Sequence, residues 1–191
     1  MYEQKNYNKI HHDERMLAIT KDTGIFYNVL LKIHKPKKIL EIGTSTGYST
    51  LWFADAMTGK NSKIITIEKN PKKIKIARNN FCKAGVSDMI EIKQSIAKDV
   101  LIQLRDSKKS NCREHFDFIF IDADKEEYRF YFDICLPMLK KGGIIAADNI
   151  IFPTRFQKDI EKYLNHINRI QHVESITLPI GNGQEVSIKK K

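Results

Sequence analysis

The chain alternates between two hydrophobic rhythms. Residues 24–33, GIFYNVLLKI, place apolar side chains at helical spacing, and Lys35-Pro36 ends that pattern. KILEIG at 38–43 then reads as a short buried strand, and GYSTLWFADAM at 47–57 as a helix stopped by Thr58-Gly59. KIITIE at 63–68 is a second strand; Pro71 opens the helix PKKIKIARNNFCKAG, which Gly85 closes. MIEIKQ at 89–94 is a third strand, followed by a helix over about 97–105. A polar loop at 106–115 leads to a fourth strand, FDFIFID, and a helix across 126–139 ends at Lys140-Lys141-Gly142-Gly143. GIIAAD forms a fifth strand. An amphipathic helix follows over roughly 155–169, and strands near ESITL and EVSIK flank the turn Gly181-Asn182-Gly183.

Strand–helix units with short connections predict a doubly wound, mostly parallel Rossmann-like α/β sheet with helices on both faces. The last strand is expected to run antiparallel. No repeat, low-complexity tract or linker divides the chain, so 1–191 reads as a single domain of ordinary size.

Composition changes this picture little. Apolar residues make up 41%, yet no run approaches the roughly 18 apolar residues of a membrane span. The N-terminus MYEQKNYNKIHHDERM is polar and carries acids, which fits neither a signal nor a transit peptide. Cys82, Cys112 and Cys135 are odd in number and far apart, so a disulfide framework or a zinc site is not expected and a reducing cytoplasm is. Cys82 and Cys135 sit in helix-like apolar patterns and read as core; His11 and His12 read as solvent-facing. The formal charge of +10 suits nucleic acid, an acidic surface or an anionic substrate, and equally a Lys- and Ile-rich proteome. The basic clusters, at 35–38, 72–75 and 189–191, are not interleaved with aromatics as a base-stacking platform would be.

Candidate chemistry begins at ILEIGTSTGYST, a strand, a turn and the start of a helix. Open α/β sheets hold ligands at such carboxyl ends of strands. Gly43 and Gly47 let the backbone turn sharply and approach a ligand closely. Ser45 stands where the dinucleotide fingerprint has its second glycine, and no Gly-Lys-Ser/Thr follows, so a pyrophosphate cradle is disfavoured. Glu68 ends the second strand about 20 residues on, where an acid accepts hydrogen bonds from ribose hydroxyls. A ribose-bearing ligand such as S-adenosylmethionine suits the pair; a structural turn with a fortuitous acid is the alternative.

E-I-G-T-S-T-G-Y-S, IDADK and the later A-D-N together resemble the divalent-metal-dependent O-methyltransferases related to catechol and caffeoyl-CoA O-methyltransferases. The likeness runs from about Leu17 through the tail LPIGNGQE. Asp122 ends the fourth strand and Asp148-Asn149 end the fifth, strands expected to be neighbours. Two carboxylates and an amide oxygen make a hard site suited to Mg²⁺. The resemblance identifies Asp122, Asp148 and Asn149 as metal ligands, although each alone is compatible with a helix cap. It also makes Lys125 the catalytic base, with a solvated loop lysine as the alternative. Asp124 reads as a surface or capping residue, and Tyr128, Phe130 and Tyr131 as packing for the next helix.

For the cofactor, the resemblance implies Ser49 at the methionine carboxylate beside a helix N-terminus. Glu41 and Gly43 would line the amino-acid end, with Asp122 beside them. Ile19 would close over it from a helical segment spanning 1–35. Ile96 and Ala97 fall where the family contacts adenine, although Gln94 replaces a common glycine. Glu185 aligns with a substrate-contacting acid, or is an edge-strand glutamate. Family members methylate catechols, caffeoyl thioesters, flavonoids and a hydroxylated wobble uridine of tRNA, and often form homodimers. The expected reaction is Mg²⁺-dependent methyl transfer to a small catechol-like hydroxylated acceptor. Transfer to tRNA, or cofactor binding without turnover, are the alternatives.

Overall fold

The computed structural model describes residues 18–57, 59, 61–106 and 115–190. Seven strands form one sheet: β1 (Lys38–Ile42), β2 (Lys63–Glu68), β3 (Ile90–Gln94), β4 (Phe116–Ile121), β5 (Leu139–Ala147), β6 (Val173–Leu178) and β7 (Gln184–Lys189). Their order is β3-β2-β1-β4-β5-β7-β6. β1 to β5 run parallel to one another, and β7 runs antiparallel to both β5 and β6. The helices are α1 (Lys21–His34), α2 (Tyr48–Ala56), α3 (Pro71–Lys83), α4 (Ala97–Asp106), α5 (Tyr128–Cys135) and α6 (Gln157–Ile167). The doubly wound sheet expected from the sequence is therefore present. Among the described residues no helix is long and apolar enough to cross a membrane.

Side chains alternate across each strand, so one apolar run supplies two cores. Leu40, Ile42, Ile119 and Ile121 pack with Leu101 of α4, Phe132 of α5 and Tyr163 of α6. Ile39, Phe118 and Phe120 face the other way, onto Tyr27 and Leu31 of α1 and Phe53 of α2. There Tyr27 and Phe53 meet Phe120 edge-on at 5.1 and 5.2 Å between centroids, contacts worth about 0.5–1.5 kcal/mol each beyond their buried area.

Two local expectations fail. The helix read across 126–139 is a short turn, Lys125–Glu127, then α5, then another turn, Leu136–Met138. Leu136 keeps a helical backbone (φ −55°, ψ −40°), but Pro137 has no N–H to give to the preceding turn, and α5 ends there. Lys140-Lys141-Gly142-Gly143 is then no helix stop but the entry to β5, irregular against β4, with Lys140 Nζ 2.6 Å from Asp117 Oδ1. Cys82 is exposed, because α3 buries Ile74, Ala77 and Phe81 and Cys82 lies one residue past that stripe. Cys135 is buried as expected, and so are Tyr128 and Tyr131. His11, His12, Leu17 and Cys112 lie outside the described residues.

The ladder continues one residue past the parallel strands. Gly43 N–H bonds the Ile67 carbonyl at 3.0 Å, Asp122 N–H that of Ile42 at 2.9 Å, and Asp148 N–H that of Ile121 at 3.1 Å. Glu68, Gly43, Asp122 and Asp148 thus stand in one row across the strand ends. At about 4.8 Å per strand the row spans roughly 14 Å.

Candidate active site

Between β1 and α2 the chain turns through Gly43 (φ 105°) and Gly47 (φ 87°), both left-handed. A Cβ on Gly43 would run into the Asp122 carbonyl oxygen, and one on Gly47 into the Phe81 ring. The turn needs glycine at both places for conformation and for space. Ala18, Ile19, Gly43, Thr44, Ser45, Thr46, Tyr48, Ser49 and Asp122 line a small pocket here. The hydroxyl of Ser45 is buried there without a partner among the described residues. This suits a polar ligand, which would satisfy a group that is costly to leave unpaired.

Glu41 does not reach the pocket wall. It lies fully buried beneath it, between β1, β2 and α2. Ser49 Oγ donates to one of its oxygens at 2.5 Å, and the hydroxyls of Thr50 and Thr66 donate to the other at 2.5 and 2.6 Å. Since Thr66 gives its proton to Glu41, Thr44 must donate to Thr66 across their 2.6 Å contact. Burial pushes the Glu41 carboxyl up to about 7, against the opposing pull of the three hydroxyls. The Ser49 side chain is therefore engaged with Glu41. What it presents to a ligand is the first turn of α2, where backbone N–H groups have no helical partner.

Glu68 accepts the backbone N–H of Ser45 and that of Asn70, each at 2.9 Å, on separate oxygens. Each oxygen keeps a lone pair for a further donor. Ile96 and Ala97 follow β3, whose Gln94 pairs with Glu68. They are not among the residues lining the pocket, and Ile96 is exposed.

At the ends of β4 and β5 the structure brings the acidic residues together. Lys125 Nζ donates to Asp122 Oδ1 at 2.9 Å and lies 5.2 Å from the Tyr128 ring centroid. Both partners are mostly covered, at 12% and 16% side-chain exposure. Asp148 is buried, and its carboxyl is pushed up by that burial and by the nearby Asp122 charge. Its carbonyl accepts the Tyr128 hydroxyl at 2.9 Å. Asn149 turns the chain with a left-handed backbone (φ 60°), which asparagine tolerates better than most residues. Asp124 is exposed and bonds nothing through its side chain as a cap.

A model of the O-methyltransferase family matches residues 2–190. The chain belongs to that family. It is 32% identical over 187 residues to caffeoyl-CoA O-methyltransferase of Zinnia elegans, covering 90% of this chain and 75% of the relative. It is 38% identical over 135 residues to a catechol O-methyltransferase of Niastella koreensis, covering 71% of this chain but only 59% of that relative's length. An O-methyltransferase of Bacillus cereus, solved in complex with SAH, superimposes with a TM-score of 0.82 at 29% identity, covering 99% of this chain and 88% of that one. The resemblance read from EIGTSTGYS, IDADK and ADN is thus borne out at the level of the family.

Within this O-methyltransferase fold, Glu185 is not brought to the acidic cluster. It pairs with Ala147 but buries its side chain on the opposite sheet face, bonded to Thr177 and near Tyr163. Its neighbour Gln184 reaches Asp148 instead. Sequence reasoning missed Gln184 because NGQE contains two polar residues in a row, and only the pairing register says which faces the site. Ser45 and Tyr48 were also passed over, although both lie inside the quoted loop.

Proposed function

We propose that the chain transfers the sulfonium methyl of S-adenosylmethionine to a hydroxyl oxygen of a small, catechol-like acceptor in a Mg²⁺-dependent reaction. The observation that carries this is the placement of Asp122, Lys125 and Asp148 at the ends of two neighbouring strands, beside the pocket lined by Gly43, Ser45 and Ser49. Relatives named for catechol and for caffeoyl-CoA support the acceptor class.

The residues fit a hard divalent ion. Asp148 carries a charge penalty from Asp122 that a cation would relieve. Among the described residues no three His, Cys, Asp or Glu side chains are gathered to hold a metal. The two carboxylates would be joined by the neutral amide of Asn149, which follows Asp148 and to which the family resemblance points. Oxygen donors of this kind suit Mg²⁺. When bound, Mg²⁺ would supply positive charge that eases loss of the hydroxyl proton.

The chain's own residues do the rest. Lys125 acts after releasing to solvent the ammonium proton that it donates to Asp122 here. Its neutral Nζ takes the hydroxyl proton, and the freed oxygen attacks the methyl in line as the C–S bond breaks and S-adenosylhomocysteine leaves, helped chiefly by proximity and alignment. Gly43 and the first turn of α2 receive the amino-acid end of the cofactor, and Glu68 accepts its ribose hydroxyls. Ala18 and Ile19, which line the pocket just ahead of α1, cover that end. A radiolabelled methyl-transfer screen over catechol and total tRNA, with Mg²⁺ and with EDTA, tests the reading. Labelled catechol that disappears with EDTA is expected; label entering tRNA alone, or transfer indifferent to EDTA, would overturn it.

A further inference from the structure

We propose that Gln184 is the positioning residue for the ion-binding carboxylate of Asp148, a role that rests on the divalent-ion reading above. Gln184 opens β7, and none of its surface is exposed. Its Nε2 donates to Asp148 Oδ1, with the Ile180 carbonyl at 3.2 Å and Thr23 Oγ1 at 3.4 Å as further acceptors. Its Oε1 accepts the Tyr27 hydroxyl at 2.9 Å.

The polarity of this chain of contacts follows from chemistry. A carboxylate only accepts, so the amide must turn its NH₂ towards Asp148. Tyr27 then has an oxygen to donate to; flipping the amide would set its oxygen against the carboxylate and force the Tyr27 hydroxyl to accept instead. Tyr27 is itself immobilised between Phe53, Phe118 and Phe120. One oxygen of Asp148 is therefore held by a rigid aromatic core through a single amide; the carboxyl also accepts the Asn149 backbone N–H, and its remaining lone pairs are left for an ion. A hydrogen bond to a charged acceptor is also stronger than one between neutral groups. Partners that orient a ligand in this way commonly matter for affinity about 10–100-fold.

The test is Mn²⁺ binding, followed by the electron paramagnetic resonance of the free ion, in the wild type and three variants. Gln184→Met keeps the length of the side chain and removes its polar atoms; it should weaken Mn²⁺ binding about 10–100-fold. Tyr27→Phe keeps the amide but removes its lock, and a smaller loss of about 2–5-fold is expected. SAH affinity measured without ion should stay within about twofold in both, whereas a general loosening of the fold would lower it too. Folded Gln184→Met that binds Mn²⁺ as the wild type does overturns the positioning role. If that variant fails to fold, unchanged binding by Tyr27→Phe overturns it. Asp122→Asn serves as the check on the ion site itself. If the wild type binds no Mn²⁺, or Asp122→Asn binds it undiminished, the ion reading fails and takes this role with it.

Discussion

Glu41 and Asp148 are both carboxyl groups buried near the carboxyl ends of strands in one sheet, and burial pushes both above the usual carboxylate range. Their surroundings differ in kind. Three hydroxyls close on Glu41, two from α2 and one from β2. Hydroxyls donate or accept as needed, so that site is satisfied whether or not the carboxyl is charged. Asp148 faces a second carboxylate and has one side-chain donor, Gln184. Lys125 bonds Asp122 directly and reaches Asp148 only as a weaker, more distant charge. The first arrangement is complete as it stands and anchors α2 behind the cofactor loop. The second sets two carboxyls against each other with few donors, and this is why a cation is proposed there.

The sharpest way to break this contrast is at Lys125. Lys125→Ala should lower kcat by about 10²–10⁴-fold while SAH binding changes by no more than about twofold. Retained turnover in a steady-state assay would remove Lys125 from the chemistry.

Asp148→Asn should abolish Mg²⁺-dependent transfer and yet raise the stability of the ion-free protein by about 1 kcal/mol, since it removes a like-charge neighbour from Asp122. Urea denaturation in EDTA reads the sign. A loss of stability would mean that the two carboxylates are not in conflict.

Glu41→Gln addresses the closed site. The Glu41 carboxyl is held at about 7 in the fold against 4.5 in the unfolded chain. Its stabilising contribution is thus fully present below pH 4.5 and is lost as pH rises through about 7. The neutral variant should not share that loss. Its stability relative to the wild type should rise by up to ~3 kcal/mol between pH 4.5 and 8, read by chemical denaturation at several pH values. A pH-independent difference would show that Glu41 is ionised throughout.

The smallest effect is expected at a third buried carboxyl, Glu185, raised by its own burial and bonded to Thr177. Glu185→Gln should change the acceptor KM by less than about twofold, because the side chain faces the α6 side of the sheet, away from Asp148. A large rise in KM would return Glu185 to the acceptor site.

Much of the site was legible because its parts lie next to each other along the chain. The Gly43–Gly47 turn, Asp122 with Lys125, and Asp148 with Asn149 are each short motifs at the end of an apolar run, where the ligand edge of an α/β sheet must be. The strand starting at Leu139 was harder, because Lys140-Lys141-Gly142-Gly143 looks like a helix terminus by composition. Pairing with β4 and the Asp117 contact make it a strand, and both partners are distant in sequence. Cys82 was misplaced for a simpler reason: on a helix, one residue past a buried stripe is already a turn of about 100° away.

By itself the sequence determined the doubly wound fold, the Gly43–Gly47 turn and the family. Hydrophobic period and strand-end chemistry are local properties that tertiary contacts here leave unchanged. Only the tertiary structure decided that Glu41 lies behind the pocket, since its hydroxyl partners come from two other elements, α2 and β2. It alone decided between Gln184 and Glu185. Side chains alternate faces along a strand, and the register of β7 on β5, Ala147 opposite Glu185, is set by long-range pairing.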